Sequence, residues 1–176
     1  MKLNDLLSHS SEWLKGIGPN SDIIISSRIR LARNLQGRPF PHWANKTQSE
    51  ENAAAIFAAS QKVDLLKNNT IFKLLEMDNV DKQFLVERHL MSRELISKTD
   101  SKAVIIDNDE IISIMVNEED HLRMQVMKSG FDLLDAWEIM NRIDDLLSKE
   151  LNFAFSADLG YLTACPTNTG TGMRGS

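Results

Sequence analysis

The stretch NEEDHLRMQ, residues 117–125, places two Glu, an Asp, a His and an Arg directly after the apolar run IISIMV. If the strand begun by that run continues, alternation sorts the side chains onto two faces. Ile112, Ile114, Val116, Glu118, Asp120, Leu122 and Met124 share one face; Ser113, Met115, Asn117, Glu119, His121, Arg123 and Gln125 share the other. A solvated face of an antiparallel sheet accounts for the polar set. The alternative is a site floor on which Glu119 and Arg123, about 13 Å apart at ~3.3 Å per residue, hold a cation at one end and an anion at the other.

Two further stretches could do chemistry. In SSRIRLAR (26–33), the same alternation points Ser26, Arg28 and Arg30 one way and Ser27, Ile29 and Leu31 the other. Guanidinium groups two residues apart on one strand face repel unless an anion lies between them, and their forked donors suit phosphate oxygens. A solvated edge with salt-bridged arginines is the competing account. LTACPTNTGTGMRGS (162–176) is Gly- and Thr-rich, and turns of that kind can aim backbone N–H groups at phosphate. It lacks the Gly-Lys-Ser/Thr of a Walker loop, and a plain flexible turn explains it equally well. Cys165 stands where a strand meets this loop; a Cys there is ordinarily a small buried hydrophobe and becomes reactive only beside a cation.

Composition removes several classes. The chain has 176 residues, 42% hydrophobic and 26% charged, with a formal net charge of −5, which argues against a general nucleic-acid partner. No apolar run approaches membrane-spanning length, and MKLNDLLSHSSEWLK has no signal-peptide core. The single Cys excludes a disulfide framework or a Cys-rich zinc site. His9, His42, His89 and His121 show no metal-ligand spacing, and DNDE (107–110) lacks the Gly and distant Glu of a calcium loop. The reading is a cytoplasmic protein with no membrane and no resident metal ligands.

The elements that must position these residues follow from pattern. Residues 1–21 read as an N-terminal helical segment and linker, broken by Gly16, Gly18 and Pro19; residues 22–176 form the main unit. DIIISSRIRL (22–31) has strand alternation. A helix follows the loop 36–46, with Thr47 and Glu50 at capping-box spacing and Ala53, Ile56, Phe57, Val63 and Leu66 on one stripe. Residues 83–95 are ambiguous between helix and strand-plus-loop. KAVII and IISIMVN predict a hairpin across DNDE. Leu133, Trp137, Met140, Ile143 and Leu147 predict a helix over 131–149, with Ser129 and Asp132 boxing its start. Residues 152–166 read as strand, turn, strand. The whole predicts an α+β fold with a largely antiparallel sheet flanked by helices.

SSRIRLAR, VERHLMS, NEEDHLR and CPTNTGTGMRGS, in that order and spacing, resemble the ATP:guanido phosphotransferases, the family of arginine and creatine kinases. The resemblance runs from about residue 20 to the last residue. It implies a guanido kinase catalytic domain of glutamine synthetase-like fold, with ATP and Mg2+ as cofactors. It also implies roles residue by residue. Arg28 and Arg30 match arginines that bind ATP phosphates, with Ser26, Ser27 and Ile29 completing that string. His89 matches the His beside the adenine. Arg123 and Arg174 match further nucleotide-binding arginines, and Gly175 and Ser176 continue the segment of the latter. Glu119 matches the catalytic carboxylate that holds the acceptor guanidinium, and Cys165 the reactive Cys beside it.

Only about twenty-five residues precede Ser26, and SEWLKGIGPNSDIIISSRIRLARNL resembles the start of the bacterial protein-arginine kinases. That branch implies arginine side chains of proteins as acceptors, within a Clp protease pathway and on a heat-shock repressor. A kinase for a small guanidino compound, or an inactive nucleotide-binding regulator, are the alternatives. Family members continue well beyond the Gly-rich motif, so the expectation is a catalytic domain incomplete at its C-terminus. It would lack a second carboxylate clamp, turn over weakly or not at all alone, and expose a sheet edge that favours self-association into a homo-oligomer.

Overall fold

A computed structural model of the chain describes residues 10–97 and 99–176. Residues 1–9 of the expected N-terminal helical segment lie outside the described residues; in the rest of it, Glu12–Leu14 form one 3-10 turn.

Six strands make one sheet: β1 (Ser26–Arg33), β2 (Thr70–Lys73), β3 (Ala103–Ile106), β4 (Ile112–Val116), β5 (Leu122–Ser129) and β8 (Met173–Gly175), in the order β2-β3-β4-β5-β1-β8. Every pairing is antiparallel. A small hairpin of β6 (Phe155–Ser156) and β7 (Gly160–Tyr161) stands apart. The helices are α1 (Lys46–Lys62), α2 (Asn79–Glu87), α3 (Arg93–Ile96) and α4 (Leu133–Leu147). The predicted α+β class and antiparallel sheet are observed, as is the hairpin across residues 107–110. No helix among the described residues is long and apolar enough to cross a membrane.

Two cores cover the sheet unequally. On one face, Ile29 and Leu31 of β1, Ile112 and Ile114 of β4, and Leu122, Met124 and Val126 of β5 pack with Ala53 and Ile56 of α1 and Met140, Ile143 and Leu147 of α4. Each such Ile, Leu, Val or Met side chain removed from water contributes about 1.5–3 kcal/mol. On the other face, Val104 and Ile106 of β3 and Met115 of β4 pack with Leu85 and Val86 of α2 and with Leu90, Met91 and Leu95 beyond it. This second core stops at β4. Among the described residues, the same face of β5, β1 and β8 carries no α-helix, only the 3-10 turn Glu12–Leu14 against β5 and β1.

Four local expectations change. β1 starts at Ser26 rather than residue 22, because Ile23 and Ile24 donate to the carbonyl of Asn20 in a turn and β5, its partner, ends opposite Ser26. The cap of α1 is Asn45, not Thr47. Its side chain accepts from the Gln48 N–H while the Gln48 side chain accepts from the Asn45 N–H, both at 2.9 Å; Thr47 already lies inside the helix. Val63 and Leu66 fall beyond α1 yet stay buried. Ser129 does not box α4: Ser27 Oγ accepts from the Asp132 N–H at 2.9 Å and donates to the Gly130 carbonyl at 2.7 Å. Ser129 instead accepts from the Gly18 N–H, where a Cβ on Gly18 would lie 1.8 Å from the Ser129 carbonyl oxygen.

The fourth change bears on the site. The strand through IISIMV does not continue into NEEDH. Asn117 adopts a left-handed conformation (φ 56°) and its N–H bonds to the His121 carbonyl at 3.0 Å, closing a hairpin loop. Asn tolerates that conformation better than most residues. Alternation therefore does not sort residues 117–121. It does hold within each strand, and the register sets Met115 against Arg123 and Ser113 against Gln125.

Candidate active site

Strand alternation builds the floor. On β1, Ile29 and Leu31 enter the core, so Arg28 and Arg30 emerge on the opposite face. Arg123 and Gln125 of β5 pair with Ala32 and Arg30, and Arg174 of β8 pairs with Arg30. Cross-strand partners share a face. Arg28, Arg30, Arg123 and Arg174 thus converge on the part of the sheet that the helices leave uncovered. Arg28, Arg30 and Arg123 line a cleft of about 310 Å³ together with His89, Ser92 and Gln125. Arg30, Arg123 and Arg174 meet Glu119 around a smaller cavity of about 40 Å³.

These guanidinium groups repel one another. Burial, followed by the charges of Arg28, Arg123 and Arg174, brings Arg30 down to about 10. Burial, then Arg123 and Arg174, lowers Arg28 too. Arg30 Nε is buried with no hydrogen-bond partner among the described residues, and an unmade buried hydrogen bond costs about 1–3 kcal/mol. An anion with several oxygens answers both the repulsion and the orphaned donor.

Arg123 alone of the four has a carboxylate partner within the described fold, Glu118, whose two oxygens accept at 2.8 and 2.9 Å. Burial pushes the Glu118 carboxyl up, but the Ser92 hydroxyl, donating at 2.6 Å, and the Arg123 guanidinium outweigh it and hold the group below its ordinary range. Ser92 also caps α3 through the Leu95 N–H. Glu118 thus aims Arg123 and ties the loop to α3.

Glu119 is exposed and differs from its neighbour. Partial burial, then the charges of Asp120 and Glu118, raise its carboxyl above the ordinary value, with Arg123 and His42 acting against the shift. It is the more basic of the two glutamates, beside three arginines. Asp120, buried, accepts from Asn34 Nδ2 at 2.6 Å and from the Ala164 N–H at 2.7 Å. That second bond fastens the loop carrying Glu119 to the segment carrying Cys165. Cys165 is half-buried, its Sγ 3.0 Å from Thr167 Oγ1, and it does not line the Glu119 cavity.

His89 follows α2 at φ 59°, an uncommon conformation for a non-glycine residue. Gln125 holds it there by donating to its carbonyl at 2.5 Å, which leaves the ring at the cleft. Ser26 and Ser176 lie near Arg28; Arg28 Nε donates to Ser176 Oγ at 3.3 Å. Gly175 sits exposed on β8, paired with Ile29. The side chains of Ser27 and Ile29 face the helical core, away from the arginines; any contact of theirs with a ligand on the floor is through the backbone.

Residues 50–176 match the family model described as ATP:guanido phosphotransferase, C-terminal catalytic domain. The chain belongs to the ATP:guanido phosphotransferase family. It is 48% identical over 180 residues to a protein-arginine kinase of Pelotomaculum thermopropionicum, and 47% identical over 180 residues to one of Symbiobacterium thermophilum. Each alignment covers 100% of this chain and 51% of the relative, so the chain spans about half the length of the curated relatives it matches. Among solved structures, the duplicated taurocyamine kinase from Schistosoma mansoni with bound transition state analog components superposes with a TM-score of 0.83 at 27% identity, over 99% of this chain and 25% of that one. Lombricine kinase, at 22% identity, shares the fold with a TM-score of 0.80 over 95% of this chain and 51% of that one.

In this guanido phosphotransferase, sequence reasoning missed the residues that hold the site together. Arg33 forms a buried two-point pair with Asp144 at 3.0 and 2.7 Å, stacks on Tyr161 at 3.5 Å, and donates to the Thr171 carbonyl at 2.9 Å. It thereby pins the loop that leads into Arg174. Gly172 passes so close that a Cβ there would meet Arg33 Nη1 and the Ala32 carbonyl at 2.6 Å. One signal was present: Arg33 has the opposite parity to Arg28 and Arg30, and a charge on the core face needs a buried partner.

Proposed function

We propose that this protein acts in the ATP-dependent phosphorylation of arginine guanidinium groups on proteins. Arg28, Arg30, Arg123 and Arg174 receive the triphosphate, with His89 toward the base. The acceptor guanidinium lies against Glu119, which clamps it through paired hydrogen bonds. The guanidinium nitrogen attacks the γ-phosphorus, the bond from that phosphorus to the ADP oxygen breaks, and the proton lost by the nitrogen passes to Glu119. The raised carboxyl of Glu119 suits it to that proton. Cys165, on the segment fastened to Asp120, flanks the same acceptor. Phosphoryl transfer needs little covalent help from the protein, so positioning and charge neutralisation are what these residues supply.

The single observation that carries the reading is the meeting of Glu119 with Arg30, Arg123 and Arg174 around one cavity, a carboxylate for a cationic acceptor beside guanidinium cations for an anionic donor. Magnesium would arrive on the phosphates of ATP, in the manner usual for that ion. The described residues hold no group of three or more His, Cys, Asp or Glu side chains that could bind a metal, and no step above runs through one. Similarity to protein-arginine kinases supports protein acceptors over a free amino acid. The resemblance extends the proposal to a Clp protease pathway and a heat-shock repressor, in the cytoplasm.

The test is transfer of labelled phosphate from ATP to an arginine-rich protein and, in parallel, to free arginine. In the chain extended to the length of its relatives, the expected result is acid-labile label on the protein in excess of that on free arginine, lost in Glu119→Gln while ATP still binds. Preference for free arginine would favour a small-molecule guanidino kinase, and absence of ATP binding would contradict both.

A further inference from the structure

We infer that Trp13 forms a wall of the base-binding recess, closing with His89 around the purine ring of ATP. This rests on the nucleotide reading above. A recess of about 190 Å³ opens beside the arginine floor, lined by Trp13, Ser26, Arg28, His89, Met127 and Ser176. It shares Arg28 and His89 with the cleft that holds Arg30 and Arg123. A ligand with its phosphates on the floor therefore sends its other end past Arg28 into this recess.

The lining suits a flat heteroaromatic ring. The rings of Trp13 and His89 have centroids 5.4 Å apart and planes at 69°, forming two sides of a corner. Met127 is buried beneath them, and sulfur packs well against aromatic edges. The hydroxyls of Ser26 and Ser176 supply polar partners. Trp13 Nε1 is itself buried with no hydrogen-bond partner among the described residues, and a purine offers ring nitrogens that accept.

One carboxylate fixes both walls. Glu110, buried in the turn between β3 and β4, accepts from Ser11 Oγ at 2.5 Å and from Arg88 Nη1 at 2.6 Å, and Arg88 donates to Ser11 Oγ at 3.0 Å. Ser11 lies two residues before Trp13, and Arg88 immediately precedes His89. The Glu12 N–H bonds to the Asp109 carbonyl at 3.4 Å on the same turn. Glu110 is thus a positioning residue for a pair of rings that are distant in sequence.

Calorimetric titration of ATP and of inorganic tripolyphosphate into the wild-type chain, Trp13→Ala and Trp13→Phe separates base contact from phosphate contact. Trp13→Ala should lose about tenfold in ATP affinity, the scale of one base–aromatic contact, with tripolyphosphate affinity unchanged. Trp13→Phe, which keeps an aromatic face, should retain most of the ATP affinity. Equal ATP affinity in the wild type and Trp13→Ala, or a parallel loss of both ligands, overturns the inference alone. A wild-type chain that binds neither ligand overturns the nucleotide reading and this inference with it.

Discussion

Arg30 of β1 and Arg174 of β8 are direct cross-strand partners, on the sheet face that no α-helix covers among the described residues. Like charges set opposite each other across a strand pair destabilise it, and here Arg28 and Arg123 crowd the same floor. The fold tolerates this repulsion at its edge strand, where an arriving anion can reverse it.

Arg30→Gln should therefore separate binding from stability. ATP affinity should fall at least about tenfold, since a hydrogen bond to a charged group is worth ~1.5–3 kcal/mol. The melting temperature of the nucleotide-free protein should hold or rise, because one of the repelling charges is gone. Calorimetric titration and thermal denaturation read the two effects; a parallel loss of both would show that Arg30 serves the fold instead.

The glutamate pair should divide its labour. Glu119→Gln removes the proposed proton acceptor and, in the chain extended to the length of its relatives, should lower turnover by about 10²–10⁴-fold with little change in ATP affinity. Glu118→Gln removes the charge that holds Arg123. It should lower stability by about 1–3 kcal/mol, read by urea denaturation, and alter ATP affinity through Arg123. Interchanged phenotypes would reassign the catalytic carboxylate to Glu118.

Asp144→Ala should cost about 3–5 kcal/mol in urea denaturation, because it leaves a buried guanidinium without its charge partner. The double variant Arg33→Met with Asp144→Leu should recover much of that loss. ATP affinity should stay reduced in the double variant, since the Thr171 carbonyl has lost the donor that places the Arg174 loop.

Acid stability should carry two opposed signatures. His121 is buried, with Nδ1 accepting from the Leu35 N–H at 2.9 Å and Nε2 3.0 Å from the Pro39 carbonyl, and burial holds it down to about 4. An unfolded His takes its proton near ~6.5, so the contribution of His121 is whole above that pH and is lost as pH falls toward about 4. The span is on the order of 3 kcal/mol. Asp107 is raised by burial to about 6, against ~3.9 unfolded; its contribution is whole below the lower value and lost as pH rises through the higher. Between pH 6.5 and 4, His121→Asn should flatten the fall in melting temperature and Asp107→Asn should steepen it. Profiles parallel to the wild type would refute both assignments.

How much of this was legible in the sequence depends on range. The common face of Arg28 and Arg30 is a local consequence of alternation and needs no partner to be read. That Arg123 and Arg174 join them depends on register across β5 and β8, which motif resemblance could suggest but spacing could not. Whether the strand continues through 117–121 stays open in the sequence because the apolar run before it carries no stop signal except Asn117, whose left-handed turn is only weakly encoded. The cap of α1 was displaced because Asn45…Gln48 and Thr47…Glu50 satisfy the same spacing, and only the extended backbone at Asn45 decides between them. Ser11 and Glu110 bond across 99 residues, a distance at which no local pattern speaks.

The most direct measurement is a crystal structure of the chain with ATP bound. Phosphate oxygens should lie within hydrogen-bond distance of Arg28, Arg30 and Arg174, with one of them accepting from Arg30 Nε, the donor that has no partner among the described residues. A triphosphate bound elsewhere, with Arg30 Nε still unpaired, would contradict the account.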